Sequence, residues 1–233
     1  MIPFRDNAAH RRLSPVNTLL IFINIAVFGF ELFLKQRGGD QIIANFALIP
    51  AHLTETRLPI TGAALWPPVT LVTALFLHAG ILHLFGNMLY LLIFGPAVEE
   101  RLGHSRFLWF YLIAGAISGL AAALMDPGST IPIIGASGAI AGVLGAYFVL
   151  FPRARLKTAL PLIVAIRVIE VPALLYLIIW FGVQLCAGIL AHPQGSIPGG
   201  VAWWAHVGGF MFGLALGPLL AKPQPTPRRA RAR

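Results

Sequence analysis

Read for its hydrophobic and polar positions, the chain divides into six long apolar runs separated by shorter polar segments. The runs cover residues 17–34, 82–102, 107–125, 137–151, 170–190 and 202–221. A membrane-spanning helix needs ~20 apolar residues, and every run except the fourth approaches that length. The pattern predicts an all-α membrane protein, a bundle of six transmembrane helices over residues 17–221. An N-terminal segment, 1–16, and a basic tail, 222–233, flank it. The stretch 36–80 is too interrupted for a span and is expected to hold a short helix or an interfacial segment.

Composition strengthens this reading. The chain is 58% hydrophobic and only 11% charged, against roughly 25% charged in soluble domains. Such a chain cannot present an ordinary polar surface to water. The net charge of +9 matters less than its distribution. With the N-terminus cytoplasmic, the inner segments carry Arg5, Arg11, Arg12, Arg101, Arg106, Arg153, Arg155, Lys157, Arg167, Lys222 and the tail residues Arg228, Arg229, Arg231 and Arg233. The outer segments carry only Lys35, Arg37 and Arg57. The excess of basic residues on one side orients both termini toward the cytoplasm. Beside a bilayer, the basic tail meets anionic lipid head groups; no nucleic-acid partner is expected. The lone Cys186 allows no internal disulfide. The first run ends in Glu31 and Lys35 without a small-residue cleavage site, so it reads as a retained span.

The few polar residues inside the runs gather at one depth. With this topology His83, Asn87, Ser137 and His206 all fall in the outer half of the membrane. Polar groups there are costly and face a bundle interior or a wet cavity. The fourth run spans only about 21 Å as a helix, against a hydrocarbon core of ~30 Å. Ser137 therefore lies below the outer surface, and residues 131–136 dip inward as non-helical backbone, which is tolerated only inside protein or along a cavity.

Gly135-Ala136-Ser137-Gly138 places a serine at a helix start, where free N–H groups and the positive end of the helix dipole suit a developing oxyanion. A plain N-cap serine is the alternative. His206 lies three residues before Gly209 and seven before Gly213, on the same face. Gly138, Gly142 and Gly145 repeat a similar spacing in the fourth run. Glycine faces let helices approach closely, which would bring His206 within proton-transfer reach of Ser137. A structural histidine is the competing reading. Neither Asp126 nor Glu170 is placed to orient His206, so a Ser–His dyad is expected rather than a triad. His83 and Asn87, four residues apart, share a helical face and can both donate hydrogen bonds; they serve either as oxyanion donors or as interhelical links. His78 and His83 lack an H-E-x-x-H context, so no metal is expected.

These segments resemble the rhomboid family. The resemblance rests on His83-Leu84-Phe85-Gly86-Asn87 in the second run, Gly135-Ala136-Ser137-Gly138 opening the fourth and His206-Val207-Gly208-Gly209 in the sixth. The end of the second run, Ala97-Val98-Glu99-Glu100-Arg101-Leu102-Gly103, is similar as well. It covers residues 70–217 most clearly. It implies an intramembrane serine endopeptidase in which Ser137 is the nucleophile and His206 its base. The Ser137 N–H, Asn87 and His83 would form the oxyanion hole. It further implies single-span transmembrane protein substrates cut near the outer face, no cofactor, and a mobile cap at residues 192–200. The compact form fits a bacterial inner membrane. The family's Trp-Arg pair in the first outer loop is absent; Trp66-Pro67 stands nearest. A catalytically silent client-binding relative is the main alternative, and a small transporter with a midplane site is a third.

Overall fold

The computed structural model describes residues 2–8, 13–40, 44–54, 66–161, 166–190 and 202–223. The expected cap at 192–200 and the tail arginines Arg228, Arg229, Arg231 and Arg233 lie outside the described residues, as do Arg11, Arg12 and Arg57.

Among the described residues, five helices are long and apolar enough to cross a membrane. They are α1 (Pro15–Lys35), α4 (Ile81–Leu102), α5 (His104–Met125), α7 (Ala173–Leu190) and α8 (Trp203–Leu220). Between α1 and α4 the chain forms α2 (Pro50–Thr54), α3 (Pro67–Thr73) and a 3-10 turn, Ala74–Phe76. The fourth apolar run is α6 (Ser137–Leu150), with 14 residues. Residues 138–147 of α6 are all buried, so this helix is surrounded by the others and shows little of itself to lipid.

Helix ends follow local chemistry. Pro15 starts α1, where its missing N–H is no loss. Ser14 makes no side-chain cap there. Instead, Glu99 of α4 accepts the N–H groups of Val16 at 3.1 Å and Asn17 at 2.7 Å, two donors the helix itself cannot satisfy. Gly103, at φ 86°, makes the tight corner between α4 and α5 in a backbone region that favours glycine.

The expectation of an all-α chain needs correction. Three strands, β1 (Ile2–Asp6), β2 (Arg155–Pro161) and β3 (Ile166–Pro172), form an antiparallel sheet in the order β1-β2-β3. The sheet sits at the end of the bundle where α6 finishes. Lys157 faces Glu170 across β2 and β3, and Arg155 approaches the same carboxylate at 3.6 Å. Tyr147 of α6 donates to Asp6 Oδ2 at 2.8 Å and fastens β1 to the bundle. The helix of the fifth apolar run, α7, consequently begins at Ala173 rather than at residue 170, and Glu170 belongs to β3.

Packing around α6 is glycine-lined, as the spacing predicts. A β-carbon on Gly209 would strike the Gly138 carbonyl oxygen, and one on Gly213 the Gly142 carbonyl oxygen. One on Gly142 would stand 2.6 Å from the Ala114 β-carbon of α5, and one on Gly217 2.7 Å from that of Ala146. Backbone meets backbone between α6 and α8, and this close approach fixes the relative height of residues at the ends where the two helices begin.

Candidate active site

Ser137 is the first residue of α6. The segment before it is non-helical, and part of its backbone pairs with the stretch 36–80. Leu48 and Ile133 exchange two hydrogen bonds, Ile133 N–H to Leu48 O at 2.7 Å and Leu48 N–H to Ile133 O at 3.2 Å. Gly135 donates to Ala74 O at 2.8 Å. Gly135 turns the chain at φ 120°, a value open to glycine, and Ser137 follows with a first-turn N–H that has no partner within the helix.

His206 lies in the first turn of α8, buried at 9% exposure. Its Nε2 and Ser137 Oγ share a hydrogen bond of 2.8 Å. The two residues expected to meet across the glycine faces are thus in contact. The ring also lies beside Trp180 at 6.0 Å and Trp203 at 6.4 Å between centroids. No carboxylate approaches it among the described residues' hydrogen bonds. Its Nδ1 meets the Gln184 amide oxygen at 2.7 Å. Gln184 was not singled out by sequence reasoning. The available signal was a lone amide in the otherwise apolar run of α7, costly there unless it has a partner.

His83 and Asn87 occupy adjacent turns of α4 on one face. His83 Nδ1 accepts the Ala79 N–H at 3.4 Å. A neutral imidazole that accepts at Nδ1 carries its proton on Nε2. That nitrogen would stand 2.8 Å from a β-carbon built on Gly135, and Asn87 Nδ2 3.6 Å from the same point. A side chain at 135 would therefore fill the space into which both donors face. Asn87 Nδ2 is buried without a hydrogen-bond partner among the described residues. A buried donor left unpaired costs on the order of 1–3 kcal/mol, a cost that an acceptor bound in this space would relieve.

All four residues line one cavity of about 1170 Å³, together with Ser118 of α5 and Trp203 of α8. The walls are mostly apolar, with a few convergent polar groups, the composition of a ligand site. The arrangement can activate a hydroxyl, accept its proton and offer donors to a nearby negative oxygen.

Comparison with known proteins identifies the family. The family model for the Rhomboid domain matches residues 65–223. RHOMBOID-like protein 1 of Arabidopsis thaliana is 34% identical over 88% of this chain and 53% of its own length. Rhomboid protein 1, mitochondrial, of Saccharomyces cerevisiae is 30% identical over 91% of this chain and 55% of its own. Rhomboid protease GluP of Bacillus subtilis is 36% identical over 60% of this chain and 26% of its own. The chain spans about half the length, or less, of these relatives. The match takes in α4, α6 and α8, the helices that carry His83, Asn87, Ser137 and His206, and the chain belongs to the rhomboid family of integral, multi-pass membrane proteins.

Proposed function

We propose that the chain is an intramembrane serine endopeptidase that hydrolyses peptide bonds of single-span transmembrane proteins near the outer face of the membrane. One observation carries the reading: a serine hydroxyl 2.8 Å from an imidazole nitrogen, in a cavity that also holds an unpartnered amide donor. The relative named a rhomboid protease supports it.

The mechanism follows from the geometry. His206 Nε2 takes the proton as Ser137 Oγ attacks the scissile carbonyl. Negative charge develops on the carbonyl oxygen. The Ser137 N–H, Asn87 Nδ2 and His83 Nε2 are the donors placed to receive it. The imidazolium then gives its proton to the leaving amine. Water, deprotonated by the same nitrogen, hydrolyses the acyl-enzyme and restores Ser137. In this reading Gly135 keeps the oxyanion space open, while Gly138, Gly142, Gly209 and Gly213 hold the dyad together.

Residues 17–221 form the membrane domain in this reading, with 1–16, the small sheet and 222–233 on the cytoplasmic side, where the basic residues concentrate. The relatives come from plants, yeast and bacteria and include a mitochondrial protein. They carry over a membrane location and do not single out the bacterial inner membrane expected from the sequence.

The test is cleavage of a model transmembrane substrate by purified protein in detergent, with labelling by a fluorophosphonate probe alongside. Ser137→Ala and His206→Ala should each abolish both. Cleavage or labelling that survives Ser137→Ala removes the serine from its role. Substrate captured intact by the wild-type protein, with no labelling, would favour a client-binding protein instead.

A further inference from the structure

The dyad contains no acid, yet its histidine must present a bare nitrogen to the serine. A neutral imidazole has two tautomers, and only the one protonated on Nδ1 leaves Nε2 free to act as a base. We propose that Gln184 is the positioning residue that selects this tautomer, making the site a Ser137–His206–Gln184 relay. The assignment rests on the protease reading above.

Gln184 is buried, at 6% exposure, in α7. Its Nε2 donates to the Trp180 carbonyl oxygen, one turn earlier in the same helix, at 3.3 Å. A carbonyl oxygen only accepts, so the amide nitrogen, not the amide oxygen, must lie on that side. This turns Oε1 toward His206 Nδ1, 2.7 Å away. An amide oxygen also only accepts, so Nδ1 must carry the proton. Nε2 is then unprotonated and accepts from the Ser137 hydroxyl at 2.8 Å. Each bond thus dictates the direction of the next, from the Trp180 carbonyl through the amide and imidazole to the nucleophile.

A carboxylate in this position would do a second thing: its charge would stabilise the imidazolium. The amide supplies orientation without that charge. The difference separates positioning from mere packing. Gln184→Leu keeps the bulk and removes the acceptor. Gln184→Glu keeps an acceptor and adds a negative charge beside the ring. The other titratable side chains lining the cavity are His83 and Tyr90 on α4 and Asp126 just beyond α5, and neither substitution alters them.

Two measurements test the relay. The first is the tautomer of His206, read from nitrogen chemical shifts of protein labelled with 15N-histidine and assigned by the signals lost in His206→Asn. The wild-type protein should show hydrogen on Nδ1, and Gln184→Leu should lose that preference. This readout does not depend on turnover. The second is the pH profile of cleavage, with Ser137→Ala as the blank. Gln184→Leu should lower kcat by about 10-fold or more, by analogy with the ~10- to 100-fold cost of removing the partner that orients a metal-ligating histidine, with KM nearly unchanged. Gln184→Glu should keep turnover and move the acid limb of kcat/KM to higher pH, because a neighbouring negative charge favours the protonated ring. The relay is overturned if Gln184→Leu keeps the wild-type tautomer or the wild-type kcat. It is equally overturned if Gln184→Glu restores activity without moving the acid limb. If the wild-type protein shows no Ser137-dependent cleavage, the protease reading fails, and the tautomer of Gln184→Leu still decides whether the amide orients the ring.

Discussion

Gly213 of α8 rests directly on the carbonyl group of Gly142 in α6, leaving no room for a β-carbon. Gly213→Ala must therefore push the two helices apart. Overpacking of this kind costs typically ~1–3 kcal/mol, and it moves His206 away from Ser137. We expect a lower unfolding temperature in detergent together with a loss of cleavage. Among the described residues nothing stands within 4 Å of a β-carbon built on Gly29 of α1, so Gly29→Ala should lower neither. Equal effects in the two variants would contradict this account of the packing.

Asn87 separates stability from activity. Its Nδ2 is buried and unpaired, so removing it gives up no hydrogen bond from that atom. Asn87→Ala should retain or raise thermal stability. If Asn87 is the oxyanion donor proposed above, its loss should lower kcat by ~10²–10³. Steady-state kinetics and a thermal melt on the same preparation read both. A destabilised variant with normal kcat would assign Asn87 to packing instead.

Glu99 acts as a cap supplied by another helix. It is fully buried, accepts two backbone N–H groups from the start of α1, and meets His104 Nδ1 at 2.5 Å. Hydrogen bonds to a charged group contribute ~1.5–3 kcal/mol each. Glu99→Ala should therefore be among the more destabilising single substitutions, with faster hydrogen exchange at Val16 and Asn17. Unchanged exchange there would show that α1 is held elsewhere.

Tyr147 joins bundle and sheet. Its ring packs against Phe94 and Phe151, each 4.9 Å away, while its hydroxyl donates to Asp6. Tyr147→Phe keeps the ring and removes the bond. The backbone amides of β1 should exchange faster, while cleavage by the distant dyad stays near wild type. Slow exchange in the variant would mean that pairing of β1 with β2 suffices by itself.

Much of this architecture was legible in the chain. The apolar runs located the helices, because lipid leaves few alternatives for so hydrophobic a segment. The spacing of Gly138, Gly142, Gly209 and Gly213 anticipated which helix faces meet, since only glycine permits contacts this close. The sheet escaped notice for a local reason. Arg167-Val168-Ile169-Glu170-Val171 abuts an apolar helix, and its strand character merges into the run that follows. Gln184 escaped for a different one. A single amide in a span commonly links helices, and its meeting with His206 depends on how α7 and α8 are rotated about their axes. No pattern within either helix sets that rotation.

On the protease reading proposed above, the burial of α6 along nearly its whole length bears on where substrates are cut. A helix that hardly touches lipid does not adjust to bilayer thickness, so the nucleophile's height is referenced to neighbouring helices. A single-span substrate, by contrast, floats at whatever level its own hydrophobic length dictates. In vesicles of short and long acyl chains the protein should act as a fixed blade against a sliding rule. Mass spectrometry of the products would show the scissile bond shifting along the substrate, and one invariant cleavage position across thicknesses would mean that the substrate's sequence alone chooses it.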